Sequence, residues 1–258
     1  MMRFRSLGSG STGNATLVEA ASGGRASRLL IDCGFGLRHL DARLARAGLA
    51  ACDIDAIFIT HEHGDHIGCA HAVSQRDRIP VWMSEGTWLA TGARDFGSHF
   101  GIARDGIDIA VGDLLVQPFT VPHDAREPLQ LRCTDGARSL GVLTDLGHAT
   151  PHVLACLAGL DALLLEFNHD ADMLASSAYP PFLKHRVGGN YGHLSNAAAA
   201  DIARAVHHTG LRHVLAAHLS EQNNRPDIVR GAMAAALGAS EHDMLTASAA
   251  DGSPWLDL

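Results

Sequence analysis

Apolar and polar positions fall in short runs along the chain, and their period separates strands from helices. Phe4 to Leu7 reads as a strand that runs into the turn-rich loop Gly8-Ser9-Gly10-Ser11-Thr12-Gly13-Asn14. Ala15 to Ala20 and Arg28 to Asp32 form a predicted hairpin around Ser22-Gly23-Gly24. Leu37, Leu40, Leu44 and Ala47 recur at helical spacing until Gly48 stops them. Ala56 to Thr60 is continuously apolar, as a strand covered on both faces would be, and His61 begins where it ends. The same reading predicts a helix from Ile67 to about Gln75 and strands near Val81 to Met83, Asp113 to Val121 and Ser139 to Thr144. It then predicts a helix at Val153 to Ala158, a strand at Ala162 to Phe167, a helix at Asn196 to His207 capped by Ser195, a strand at His213 to Ala217 and a helix at Pro226 to Leu237. Strands alternate with helices and several end in polar residues, which describes an α/β layered domain with its chemistry at strand ends. A strand-strand-helix rhythm recurs loosely in the second half, a weak hint of two sheet halves.

Composition narrows the setting. The 258 residues are 47% hydrophobic, without a low-complexity tract or long linker, so one globular domain over residues 1–258 is expected. Five cysteines form no CxxC pair, and their odd number favours a reducing compartment over a disulfide framework. The N-terminus lacks the apolar stretch of a secretory signal, and the most apolar region, Val153 to Phe167, is interrupted by Asp161 and Glu166. A cytoplasmic protein without a membrane partner is the expectation. The net charge of −8 opposes a polyanionic substrate unless a local basic patch offsets it.

Chemistry concentrates in His61-Glu62-His63-Gly64-Asp65-His66. Alternate residues after a strand can point two imidazoles to one side, while Asp65 and His66 at the next helix start face the other. Imidazole with carboxylate suits zinc, manganese or iron, and two ions are plausible at this density of ligands. The bland alternative is a polar helix-entry loop that happens to be rich in histidine. Three later strand ends offer further ligands: His123, Asp145 and His218 each follow an apolar strand.

At these residues the chain resembles the metallo-β-lactamase superfamily. The resemblance implies a four-layer αββα fold, two packed mixed sheets flanked by helices, and two divalent metal ions. It assigns His61, His63 and His123 to one ion and Asp65, His66 and His218 to the other, with Asp145 between them. Ser9 to Asn14, Glu166-Phe167-Asn168-His169-Asp170, Tyr191-Gly192-His193-Leu194-Ser195-Asn196 and His218 to Asn224 further resemble the YycJ/WalJ-like branch, over nearly the whole chain. That branch is regarded as a DNA exonuclease family and is similar to ribonuclease Z, ribonuclease J and PhnP-type phosphodiesterases. Phe167 stands where the branch more usually has Ser, a tolerable strand-end change.

Two metal ions about 3.5–4 Å apart can present hydroxide at neutral pH and stabilise in-line displacement at phosphorus. Ligands alone do not choose the substrate, because thioesters, lactones, β-lactams and phosphodiesters are all hydrolysed on this scaffold. The carboxylate Asp145 argues against antibiotic hydrolysis, since β-lactamases that bind two zincs usually place a cysteine at the second metal. Glu166 and His193 resemble the pair beside the scissile phosphate in ribonuclease Z type enzymes, where a carboxylate keeps an imidazole protonated to donate to the leaving alkoxide. Asp65 counts as catalytic with them. Lys184 to Tyr191 reads as a basic, flexible stretch carrying the chain's only lysine, in which Lys184 and Arg186 could follow a phosphate backbone and Tyr191 stack on a base. Ser11 and Asn14 could donate to a substrate phosphate, although a Gly/Ser loop is more often just a tight turn. His169 is open between an orienting role behind a ligand and a plain surface one, and Cys69 reads as a small buried helix residue. The leading expectation is a DNA exonuclease. A small-molecule hydrolase of thioesters, lactones or cyclic phosphodiesters is the alternative, slightly favoured by the acidic charge. A degenerate binding protein fits poorly because all seven ligand positions are filled, and a diiron oxidoreductase would have Glu in place of His63.

Overall fold

In the computed structural model, which describes residues 1–258, the chain forms two seven-stranded mixed sheets. The first holds β1 (Met2–Gly8), β2 (Ala15–Ser22), β3 (Arg25–Ile31), β4 (Ala56–Phe58), β5 (Val81–Ser84) and β6 (Phe100–Ala103) side by side in chain order. The second holds β7 (Ile109–Val111), β8 (Leu114–Thr120), β9 (Leu129–Thr134), β10 (Ser139–Leu143), β11 (Ala162–Glu166), β12 (His213–Ala217) and β13 (Leu245–Thr246), also in chain order. The chain then returns to the first sheet, where β14 (Leu256–Asp257) pairs antiparallel with β1.

Alternation along each strand decides the layers. Met2, Phe4, Leu29, Ile31 and Phe58 of the first sheet meet Leu129, Leu131, Val142, Leu164 and Leu215 of the second in one apolar layer. The intervening Leu30 and Ile57 face outward, against Leu40 and Leu44 of α1 (Leu37–Arg46) and Val73 of α3 (Ala70–Asp77), with α2 (Gly64–Ile67) and α4 (Glu85–Ala90) also on this side of the chain order. Leu163 and Leu165 face the other way, against Val153 of α5 (Pro151–Cys156), Ile202 of α8 (Asn196–Val206) and Met233 of α9 (Pro226–Leu237). The result is the expected αββα sandwich. Between α5 and α8 the chain forms the short helices α6 (Ala171–Ser176) and α7 (Pro181–Val187).

Each sheet begins as an antiparallel meander and continues as a parallel run. From β3 to β6 successive strands are parallel to one another, as they are from β10 to β13. β8 is antiparallel to β9 and β9 to β10, so β8 ends on the same rim as β10. All the strand ends that carry candidate chemistry therefore share one rim, where ligands bind in open α/β sheets.

The predicted hairpin turns at Gly23 and Gly24, both at positive φ, and Ser195 caps α8 by accepting from Ala198 N. Two expectations need correcting. The helix from Ile67 to Gln75 is broken at Gly68, whose φ is +31° and where a Cβ would lie 2.3 Å from the Cys33 carbonyl oxygen. The stretch 184–191 is not a flexible loop throughout, because Lys184 and Arg186 lie in α7, with Pro181 at its first position. The strand β9 was not anticipated, although Leu129, Leu131 and Cys133 alternate with Gln130 and Arg132.

Candidate active site

The sharp turns at the rim aim side chains that an extended strand would send elsewhere. Asp32 after β3, Asp145 after β10 and His218 after β12 all hold positive φ, between 54° and 63°, an uncommon conformation away from glycine that concentrates at functional sites. His61 and His63 leave the end of β4, Asp65 and His66 lie in α2, and His123 follows β8. The structure brings all seven predicted ligand residues together. One set of ligand atoms comes from His61, His63 and His123, a second from Asp65, His66 and His218, and Asp145 joins His61 and His66 in a third.

Hydrogen-bond partners fix how these rings face. His123 Nδ1 donates to the Gly192 carbonyl at 3.0 Å, His66 Nδ1 to Asp32 Oδ2 at 2.8 Å, and His218 Nδ1 to Glu166 Oε1 at 3.0 Å. Each leaves Nε2 facing inward. His66 Nε2 then lies 3.1 Å from Asp145 Oδ2, His123 Nε2 lies 3.3 Å from His63 Nδ1, and His61 Nε2 lies 3.0 Å from that same atom. Asp145 Oδ2 and His218 Nε2 are buried without a hydrogen-bond partner. Lone pairs converging on buried, unpartnered acceptors are what a divalent cation satisfies, and the donor set fits zinc, manganese or iron.

The proton energetics agree. Burial pushes the His61 and His123 pKa values down, leaving neutral imidazoles. Burial also opposes charge on His66 and His218, but Asp145 and the other carboxylates outweigh it and raise both, His218 to about 10. For Asp145 burial is again the opposing influence, and His218 and His66 hold it well below the usual carboxylate range. Protons thus gather between these acceptors where a cation would replace them.

Glu166 and His193 lie beside this cluster. Glu166 is fully buried: Oε1 accepts from His193 Nδ1 at 2.8 Å and from His218 Nδ1, and Oε2 accepts from Leu194 N and Leu146 N. Burial disfavours its charge, but His193 and His218 hold its pKa down at about 2. Burial likewise opposes charge on His193, and Glu166 and Asp145 overcome it and raise its pKa. Glu166 is therefore a positioning group shared by two imidazoles, and both of them line the cavity.

That cavity, of about 430 Å³, is lined by Ser11, His63, Asp65, Asp145, His193 and His218 among others. Of the expected substrate contacts, Ser11 and Arg186 reach it, and Arg186 Nε is paired with Asp124 Oδ2 at 2.6 Å. Asn14 does not face a substrate. Its buried carboxamide accepts from Ser9 Oγ and Gly10 N and donates to the Gly10 and Asp65 carbonyls, bracing the loop against α2. Lys184 and Tyr191 line a neighbouring groove instead, with Lys184 Nζ donating to the Ala175 carbonyl at 2.6 Å. His169 is neither at the surface nor behind a ligand; it is buried and lines that same groove.

Sequence reasoning missed Asp32, Thr60 and Asp124. Asp32 accepts from His66, from Thr60 N and from Thr60 Oγ1, and Thr60 Oγ1 in turn lies 3.0 Å from His61 Nδ1. An aspartate ending an apolar strand was the available signal, the same one that marked Asp145. Asp124 Oδ1 lies 3.4 Å from His123 Nε2, next to a residue already singled out.

The sequence profile of the β-lactamase superfamily domain matches residues 27–219. The chain is 33% identical over 233 residues to exodeoxyribonuclease YycJ of Bacillus anthracis, covering 89% of this chain and 86% of the relative. The chain belongs to the β-lactamase superfamily, in its YycJ/WalJ branch. Exodeoxyribonuclease WalJ of Streptococcus pneumoniae is 30% identical over 236 residues, with 90% and 86% covered. The metallo-β-lactamase fold protein YhfI of Bacillus subtilis superimposes with a TM-score of 0.76 at 17% identity, over 99% of this chain and 98% of its own, a likeness of fold alone. Membership makes the chain a hydrolase of the metallo-β-lactamase fold, a fold that implies divalent-metal binding, and its clustered His and Asp side chains could hold such an ion. No helix is long and apolar enough to cross a membrane.

Proposed function

We propose that the chain is a metal-dependent phosphodiesterase that degrades DNA as an exonuclease. His61, His63 and His123 would hold one divalent ion, Asp65, His66 and His218 a second, and Asp145 would serve both. Bound there, such ions supply an activated water and neutralise charge that develops on the phosphate. Asp65 is ionised, because the neighbouring His218 and His66 outweigh the opposing effect of burial, and its side chain is a quarter exposed at the cavity wall. It is placed to take a proton from the attacking water.

The observation that carries the reading is the Glu166–His193 pair. Hydrolysis of a diester must protonate a poor alkoxide leaving group, which an imidazole kept charged by a buried carboxylate can do. Thioester hydrolysis expels a thiolate and has less need of such a donor. Similarity over most of the chain to two exodeoxyribonucleases supports DNA as the substrate. The net charge of −8 favours a second reading, a hydrolase of small diesters or thioesters.

One panel separates them. The purified, metal-loaded protein is assayed on end-labelled single- and double-stranded DNA and RNA, a thioester, a lactone and bis-p-nitrophenyl phosphate, beside the double variant His61→Ala/Asp65→Ala. Stepwise shortening of DNA that disappears in the double variant is expected. Turnover of the thioester alone would overturn the proposal, and metal analysis of the same sample chooses among zinc, manganese and iron.

A further inference from the structure

Helix α7 divides two concavities. Leu183, Arg186 and Val187 line the cavity already described, whereas Lys184, His185 and Gly188, on its other side, line a groove of about 930 Å³. Ala171, Leu174 and Ala175 of α6 form another part of that groove, and His169 and Tyr191 complete it. The segment Gly188 to Tyr191 borders the groove while Gly192 and His193 border the cavity, so one short loop joins the two.

Its lining says what would fit. Cationic charge is scarce: the only lysine already donates to a carbonyl, and Arg186 faces the other side in its pair with Asp124. A phosphate would find little to hold it. His169 is 4% exposed, and its Nδ1 is buried without a partner. Its backbone anchors it, with the carbonyl accepting from Asn196 N and a bridge to Ser195, while the ring makes no hydrogen bond in the fold. Burial lowers its pKa, so the ring is neutral at pH 7 and offers polarity without charge. Tyr191, 62% exposed, presents an aromatic ring at the same groove. Apolar walls, a neutral polar ring and an exposed aromatic ring match a flat heteroaromatic ligand with polar edges.

We propose that this groove holds the nucleobase of a nucleotide flanking the scissile phosphate, with Tyr191 as stacking surface and His169 as polar contact. The choice of a nucleotide rests on the nuclease reading, and the groove adjoins the metal cavity, since α7 and the loop Gly188 to His193 contribute to the walls of both.

The test measures binding separately from turnover. Affinities of the metal-loaded full chain for 2′-deoxyadenosine 5′-monophosphate and for 2-deoxyribose 5-phosphate are compared by calorimetry, in the wild type and in Tyr191→Ala, Tyr191→Phe and His169→Leu. Melting curves verify folding. The wild type should favour the nucleotide about tenfold, the scale of one base-stacking contact. That preference should fall toward parity in Tyr191→Ala and His169→Leu and persist in Tyr191→Phe. Equal affinity of the wild type for both probes overturns the groove assignment, as does a preference that survives in Tyr191→Ala. Degradation of end-labelled DNA by the wild type is scored in parallel. Base-dependent binding without any DNA degradation would overturn the nuclease reading and leave the groove assignment standing.

Discussion

Asp32 and Asp145 occupy matching places in the two sheets. Each follows the last strand of an antiparallel meander, at the point where the parallel run begins, and each takes a left-handed φ. Both are buried, and both reach the same imidazole: Asp32 accepts from His66 Nδ1, and Asp145 lies 3.1 Å from His66 Nε2. Their surroundings differ. Asp32 is closed in by Thr60 and His66, whereas Asp145 keeps Oδ2 without a partner and lines the cavity. The same strand-end aspartate thus orients a ligand in one half and faces the cation site in the other. The first sheet's loops supply His61, His63, Asp65 and His66 and brace them with Asp32 and Thr60; the second sheet's loops supply His123, Asp145 and His218 and add the Glu166–His193 pair.

The largest effect expected from breaking this comparison is at Asp145. Asp145→Asn removes the charge between the two proposed ion sites, so metal content measured by mass spectrometry should drop and activity should fall below detection, whatever metal is added. A variant that keeps both metal and rate would show that the two aspartates do not differ in the way described.

Next comes His193, the substrate-facing member of the second half. His193→Ala should lower kcat by about 10²–10⁴-fold, the usual contribution of a positioned general acid, and leave metal content intact. Its raised pKa fixes the sign of the pH dependence. The donor is charged below that value, so kcat should decline as pH rises through it. Glu166→Gln removes the carboxylate that raises it, and the decline should then begin at lower pH. An alkaline limb that does not move in Glu166→Gln would remove His193 from proton donation.

A smaller effect is expected at Asp32. Asp32→Asn should weaken metal binding by about 10–100-fold, as loss of an orienting partner commonly does, with kcat recovered at excess metal. Failure to recover would give Asp32 a part in the reaction itself.

How much of this was legible follows the same division. The run His61 to His66 could be read because its ligands are contiguous and start at the end of an apolar strand, and the element order gave the layered fold. Asp145 and His218 were legible through strand ends and family resemblance together. Asp32 carried the same local signal, but nothing in the sequence says that β3 lies beside β4, the pairing that brings it to Thr60 and His66. The two faces of α7 were hidden for a different reason. Pro181 starts a helix in a stretch whose composition reads as loop, and helical geometry then sends Arg186 to the cavity and Lys184 to the groove.

The smallest effect tests whether the first half is a closed network or a set of separate contacts. Thr60 Oγ1 lies 3.0 Å from both Asp32 oxygens and from His61 Nδ1, so one hydroxyl donates to the carboxylate and accepts from the ring. Thr60→Val keeps the shape and the Thr60 N to Asp32 Oδ1 bond but leaves the His61 N–H unpaired in a buried site. The cost of one such bond is about 1 kcal/mol, or roughly a fivefold loss of metal affinity measured by competition with a chelator. The double variant with Asp32→Asn should lose less than the two single losses combined, since both act through the same ring geometry. Full additivity would mean that Thr60 and Asp32 orient His61 and His66 independently, and the first half would then be two devices instead of one.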